Sequence, residues 1–368
     1  MKLLVSGSRE FLFDEAGQRY IDAISGVYNA SYGHGHPRIT HILRTFPMDG
    51  IINCYDNSTP ERRRLENELC AQTGFREVHL FSSGAESVEK ALLLALQSVS
   101  PARRRVLHFL NSFHGKTMGT ESLFHPCMLK SPYRTDTVDP MFPEERLLER
   151  VRARVRNGCG VVILEPVMGY FGHIFPLRVL AEIRRICSES ETILIFDEMI
   201  TGFGRAGHCF VSDVVRPDIL VLGKNLGQGL PIMAILFNPG GLISTEGSSW
   251  TTATANNALL CRVGYESCRI LVEEAMTSQS FATGKNLRAA LTRSGVFSKC
   301  TVDNCASMMF IRRLDNQPAL PLEVRLREEY QILTRAHGST LVMMPPYVTS
   351  IQSCDRIGEA LGEVLKNE

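Results

Sequence analysis

Two residues of complementary chemistry each follow a short apolar run near the middle of the chain. Asp197 ends the run Thr192-Ile-Leu-Ile-Phe-Asp197, and Lys224 follows Ile219-Leu-Val-Leu-Gly223. Both runs are β-branched, aromatic or Leu without polar alternation, which predicts strands buried on both faces. In an open parallel sheet the carboxyl ends of the strands form the edge where ligands bind. An acid and a lysine at two such ends suit pyridoxal phosphate. The lysine would hold the aldehyde as a Schiff base, and the carboxylate would keep the ring nitrogen protonated so that the ring acts as an electron sink. Taken alone, the pair reads equally well as a surface ion pair or as two unrelated loop residues.

The flanking residues separate these readings. Asp197-Glu-Met-Ile-Thr-Gly-Phe-Gly-Arg-Ala-Gly207 resembles the Asp-Glu-Val-x-x-Gly-Phe-Gly-Arg-x-Gly signature of the class III, or subgroup II, aminotransferases, and Arg216-Pro-Asp-Ile-Leu-Val-Leu-Gly-Lys224 resembles their lysine segment. The likeness runs from about Phe13 to about Ala360, with several motifs in the same order. It implies an α/β fold-type I enzyme: a mostly parallel central sheet flanked by helices, with a smaller α+β domain drawn from both termini. The implied reaction is transamination between an amine or amino acid donor and a keto acid or aldehyde acceptor. Lys224 would carry the cofactor and move the proton, Asp197 would meet the pyridine nitrogen, and Met199 would lie beside the ring. An aminomutase, racemase or decarboxylase on the same scaffold shares these motifs, and a non-catalytic cofactor-binding paralogue is a more distant alternative.

Other segments extend the implied site. Residues 77–96 read as a strand, a small-residue turn and an apolar helix, and such a turn offers backbone N–H groups to a phosphate. A plain serine-capped helix would look the same, but Ser83-Gly-Ala-Glu86 matches the family's Ser-Gly-x-Glu, which implies Gly84 and Ala85 at the cofactor phosphate. Within Asn111-Ser-Phe-His-Gly-Lys-Thr117 the family's aromatic-His-Gly puts Phe113 against the pyridine face. Thr252, in the segment from Trp250 to Leu259, matches a second phosphate contact. In the family that contact comes from the neighbouring subunit, implying a homodimer with shared active sites; the family's Gly-Gly is Thr254-Ala255 here.

Substrate residues follow from the same resemblance. The glycine-rich stretch from Ser25 to Pro37 ends in the family's Gly-His-x-His-Pro, which brings Tyr28, and with it Tyr32, towards the donor. Arg335-Ala-His-Gly338 and Met344-Pro-Pro-Tyr347 resemble the arrangement that grips a carboxylate with an arginine, although Ala336 stands where the family has proline. Glu165-Pro-Val-Met-Gly-Tyr-Phe-Gly172 carries Tyr170 where the ornithine and γ-aminobutyrate branches carry a second acid. The implication is a more aromatic pocket, an arginine without that acid, and a carboxylate-bearing partner in at least one half-reaction. Ornithine and γ-aminobutyrate are disfavoured as donors.

These residues need a scaffold, and the pattern supplies one. A hairpin is expected over residues 11–22, and helices over 60–72, 143–156 and 176–190. In the last of these Val179, Leu180, Ile183, Ile186 and Cys187 form one apolar stripe. Strands near 105–110 and 160–165 alternate with the helices, as in an α/β layer sandwich. Residues 131–143 are polar and proline-rich and read as a surface excursion. A composition shift after Asn238-Pro-Gly-Gly241 suggests a large domain at 50–240, with 1–49 and 241–368 forming the smaller one.

Composition narrows the function further. Among 368 residues, 40 basic and 39 acidic side chains leave a net charge of +1, which gives no footprint for nucleic acid or an anionic membrane. Eleven cysteines without a C-x-x-C pair argue against zinc ribbons and disulfides and for a reducing, cytoplasmic setting. The three apolar residues after Lys2 are too few for a signal segment, and no later run approaches a membrane span. His34 and His36 have no carboxylate or cysteine at ligand spacing, so no metal is expected. Gly202 to Gly207 spells G-x-G-x-x-G, but two acids separate it from the strand and no helical pattern follows, so a nicotinamide site is not expected.

Overall fold

The computed structural model describes residues 3–46, 50–54, 57–124, 131–245, 252 and 254–367. Trp250, Thr251 and Ala253 of the expected second phosphate segment lie outside the described residues. The chain divides into two compact units, one comprising Phe46–Gly202 and Phe210–Cys268, the other Met1–Thr45, Phe203–Cys209 and Arg269–Glu368.

The larger unit is built on a seven-stranded sheet in the order Glu77–Phe81, Met233–Phe237, Ile219–Leu222, Ile193–Asp197, Val161–Leu164, Arg105–Phe109, Arg134–Val138. The five strands from Ile219–Leu222 to Arg134–Val138 run parallel, and Met233–Phe237 is antiparallel to both its neighbours. The helix Gly84–Ser98 lays Val88, Ala91, Leu92 and Ala95 against Val106, Ile163, Ile195 and Val221 of the sheet. A sheet covered this way has no wet face, which is why its central strands read as unbroken apolar runs. The expected helices lie at Pro60–Thr73, Glu144–Arg156 and Leu177–Glu189. Thr59 Oγ1 accepts from the Arg62 amide at 3.1 Å, and Gly74 closes that helix at φ +70°.

The surface excursion expected at residues 131–143 is instead in part a strand. Arg134–Val138 pairs in parallel with Arg105–Phe109 and forms the sheet edge. Its polar residues have polar partners: Thr137 meets His108 at 2.9 Å, and Asp136 accepts from Cys159 and Arg105. An edge strand with one open side needs no apolar run, so its composition resembles a loop.

The smaller unit holds two four-stranded sheets. Leu4–Ser8, Phe11–Asp14, Arg19–Asp22 and Ile332–Leu333 form one; Cys300–Cys305, Met308–Arg313, Thr340–Met343 and Arg335–His337 form the other. The expected hairpin is present, with a third strand, Leu4–Ser8, on its outer side. Leu287 and Leu291 of Met276–Arg293 and Ile357 and Leu361 of Ile351–Lys366 share a core with Met309, Ile311, Leu341 and Met343. His34 pairs with Asp22 at 2.6 Å and His36 with Glu274 at 3.3 Å. No helix among the described residues is long and apolar enough to cross a membrane.

Relative to a 50–240 core, the larger unit reaches Cys268 and lacks Phe203–Cys209. Several contacts hold that segment to the smaller unit, among them Tyr347 Oη donating to Phe203 O at 3.0 Å and those of Arg205, which is fully buried. Its Nη1 donates to Pro345 O at 2.7 Å and Ser307 Oγ at 3.2 Å; its Nη2 donates to Ser25 Oγ at 2.7 Å and to Ser31 Oγ. The guanidinium also lies 4.7 Å from the Tyr347 ring centroid. Gly204 and Gly207, at φ +89° and +83°, give the segment the turns that bring Arg205 to these partners.

Candidate active site

Asp197 and Lys224 stand at the ends of neighbouring strands. Asp197 is the register partner of Val221, the Glu198 amide donates to Val221 O at 2.9 Å, and Lys224 lies just beyond. Lys224 is half-buried and adopts φ +45°, a left-handed conformation costing an L-residue about 1–2 kcal/mol. Strain of this kind collects where a side chain must be aimed.

Asp197 is buried, and its Oδ2 lies 2.8 Å from His114 Nδ1 while its Oδ1 accepts from the Met199 amide at 3.1 Å. A carboxylate offers about four lone-pair sites, so a further donor can still be received. His114 was missed in the sequence, where the His-Gly pair served only to mark Phe113. The contact joins residues 83 positions apart, so no local pattern marks it. His114 Nε2 is buried and has no partner among the described residues.

Met199 joins the lysine turn to the phosphate turn. A Cβ on Gly84 would stand 3.4 Å from Met199 Cε, and a Cβ on Gly223 would collide with Met199 Sδ. Gly84 opens a fifteen-residue helix capped by Ser83 Oγ, which accepts from the Glu86 amide at 3.2 Å. Ala85 lies against Gly115, whose φ of +132° and lack of room for a Cβ press the His114 loop onto this turn. Thr252 Oγ1 is buried without a partner among the described residues, and Thr254 Oγ1 lies 2.6 Å from Ser82 Oγ. The arrangement thus gathers Lys224, Asp197, Met199, Gly84 and Ala85, with Thr254 bonded to Ser82 beside Gly84.

Glu165 organises the aromatic side. Its Oε1 accepts from the Phe113 amide at 2.8 Å and its Oε2 from the Gly169 amide at 3.3 Å. Burial pushes its carboxyl well above the ordinary range; His114 opposes the shift and Asp197 adds to it. The Phe113 ring lies 4.4 Å from Tyr170 with the planes 28° apart, and Phe124 meets it edge-on at 6.1 Å.

Tyr28 and Arg335 belong to the smaller unit, so this cluster forms without them. Tyr28 is buried at φ +70°. Arg335 is exposed on the strand Arg335–His337, and no ion pair involves it among the described residues. Burial and Arg335 together press the pKa of His337 down to about 4.

The second acid of the signature does a different job. Glu198 Oε1 accepts from the Ser212 amide at 2.8 Å, and Oε2 accepts from the Val211 amide at 2.8 Å and Thr201 Oγ1 at 3.1 Å. It ties the chain leaving Asp197 to the 3₁₀ turn Val211–Asp213.

The residues present fit pyridoxal phosphate. An acid with spare acceptor capacity, a lysine on the adjacent strand end, a helix start crossed by glycine and a flat aromatic ring are together, with an unpartnered buried Nε2 on His114.

The family described as aminotransferase class-III matches residues 3–365. The acetylornithine aminotransferase of Methanosarcina acetivorans is 28% identical over 369 residues, covering 98% of this chain and 90% of its own. The ornithine aminotransferase of Bacillus subtilis is 27% identical over 377 residues, covering 96% and 90%. Among solved structures, the ornithine aminotransferase of Toxoplasma gondii matches with a TM-score of 0.90 at 21% identity, over 100% of this chain and 92% of its own. The omega transaminase of Pseudomonas jessenii in complex with PMP matches with a TM-score of 0.89 at 21% identity, over 100% and 92%. These structural matches establish the shared fold.

Burial raises the carboxyl of Glu198 from 4.5 to about 7. The folded state therefore holds this proton more tightly, so the stability it adds is full below the unfolded pKa and is lost as pH rises through the folded one. Urea unfolding at about pH 5 and about pH 8 should show a smaller loss of stability with rising pH in Glu198→Gln than in the wild type. Equal losses would show that Glu198 does not carry this proton.

Proposed function

On the premise that this chain belongs to the class III aminotransferases, we propose that Lys224 binds pyridoxal phosphate and Asp197 receives its pyridine nitrogen. The chain is a pyridoxal-phosphate-dependent transaminase, an enzyme acting on amino acids and keto acids. Bound, the cofactor supplies an aldehyde that exchanges amino groups and a ring that takes up electron density. The single observation carrying the assignment is the contact of Met199 with both Gly84 and Gly223, beside the register that sets Asp197 next to the lysine turn.

Lys224 Nζ moves the proton and acts in its neutral form. Asp197 holds the ring-nitrogen proton, and His114 holds Asp197 in place. The backbone amides of Gly84 and Ala85, at the positive end of their helix, receive the phosphate. The Thr252 hydroxyl adds a second contact, donated to the neighbouring subunit's phosphate in a homodimer. Phe113 and Met199 enclose the ring. Free cysteines throughout the described residues support a cytoplasmic setting.

For substrate, Arg335 is the carboxylate anchor, its guanidinium matching a carboxylate with two parallel hydrogen bonds. Tyr28 and Tyr170 contribute to the donor pocket. The ornithine and acetylornithine aminotransferases among the relatives make a diamino acid the obvious comparison. Tyr170 in place of an acid argues against ornithine and γ-aminobutyrate as donors.

Replacing Lys224 with Ala should abolish turnover and remove the visible absorbance of the lysine-bound cofactor; a variant retaining both would overturn the assignment. Kinetics of Arg335→Ala should show catalytic efficiency falling about 30- to 100-fold for amino and keto acids, while simple amines and aldehydes are little affected. An unchanged ratio would remove the anchor. Light scattering should find a dimer, and a fully active monomer would refute the shared site.

A further inference from the structure

Tyr170 makes a contact that the acid it replaces could not make. Its ring and that of Phe113 lie 4.4 Å apart at 28°, and near-parallel aromatic pairs attract by about 0.5–1.5 kcal/mol beyond the area they bury. The backbone holds both partners. Glu165 accepts the Phe113 amide on one oxygen and the Gly169 amide, next to Tyr170, on the other. A Cβ on Gly169 would meet the tip of the Ile200 side chain, so the loop lies close against Ile200. Beyond Tyr170 the loop is pinned by Gly172 N to Met168 O at 2.8 Å and Met168 N to His173 O at 2.9 Å. Phe124 stands against the edge of Phe113. Phe113 thus has one face against Tyr170 and one edge against Phe124.

We propose that Tyr170 is a positioning residue for the cofactor, backing the Phe113 ring so that its opposite face is held parallel to the pyridine. The role rests on the placement of Phe113 against the pyridine under the proposed function. Tyr170 then acts on the cofactor through the ring of Phe113, so its own ring carries the role. The glutamate carried by other branches of the family would lose the stack.

The test is reconstitution of the full-length apoprotein with pyridoxal phosphate, following affinity by visible absorbance and ring orientation by induced circular dichroism of the bound cofactor. Tyr170→Ala should weaken binding about two- to tenfold and shrink the dichroic band. Tyr170→Phe should match the wild type in both, and Tyr170→Glu should behave as Tyr170→Ala. Unfolding temperatures of the apo variants, read beside the binding data, separate loss of the stack from loss of folded protein. Combining Tyr170→Ala with Phe113→Leu should cost no more than Phe113→Leu alone. Full additivity, or wild-type affinity and dichroism in Tyr170→Ala, would overturn the positioning role. Wild-type behaviour in Phe113→Leu would overturn it through its premise, a failure separable from the first.

Discussion

A carboxylate sealed at the end of a strand with no wet face imposes the strictest demand in this protein. Asp197 is 3% exposed, and an ionised group removed from water has to be met by donors on its open sides or it destabilises the fold by several kcal/mol. The Met199 amide meets one oxygen and His114 the other. Satisfying the second requires the loop after Arg105–Phe109 to come across Val161–Leu164 to the end of Ile193–Asp197. The parallel strand order makes that crossing short, because all three strands finish at the same edge. The neighbouring acids meet the demand differently. Glu165 and Glu198 are surrounded mainly by backbone amides, and burial draws both towards the neutral form, which keeps three buried carboxyls from repelling one another at full charge.

Met199 shows how a departure from a motif can be structural. The family signature has valine there, a stiff branched side chain. The longer thioether lies over Gly84 and also fills the space beside Gly223, an adaptable filler between two backbones that have no side chains of their own. The two glycines and the methionine therefore form one fitted set, which spans three segments far apart in the chain.

Much of this was legible in the sequence. The buried strands, the hairpin and the strand-end placement of Asp197 and Lys224 all follow from local patterns and are found as expected. What escaped was non-local. The His114–Asp197 contact joins residues 83 positions apart, and nothing in either segment alone announces the other. The strand Arg134–Val138 looked like a loop because its polarity answers to partners on other elements. Phe203–Cys209 belongs with the smaller unit, and a glycine-rich signature gives no hint of where its arginine will be buried.

The two terminal nitrogens of that arginine are solvated by the protein itself. Four neutral oxygens, three of them on serines, stand where water would meet them, and Ser280 and Ser307 extend the set through a 2.8 Å hydroxyl contact. Hydroxyls rotate, and each has two lone pairs to offer. The site is therefore fault-tolerant on one side and brittle on the other: the loss of one hydroxyl can be shared among those that remain, but no other side chain brings a planar fork of donors that stays charged at every physiological pH. Variation in this lineage should consequently drift among the small polar residues of the shell while the cation at its centre stays fixed.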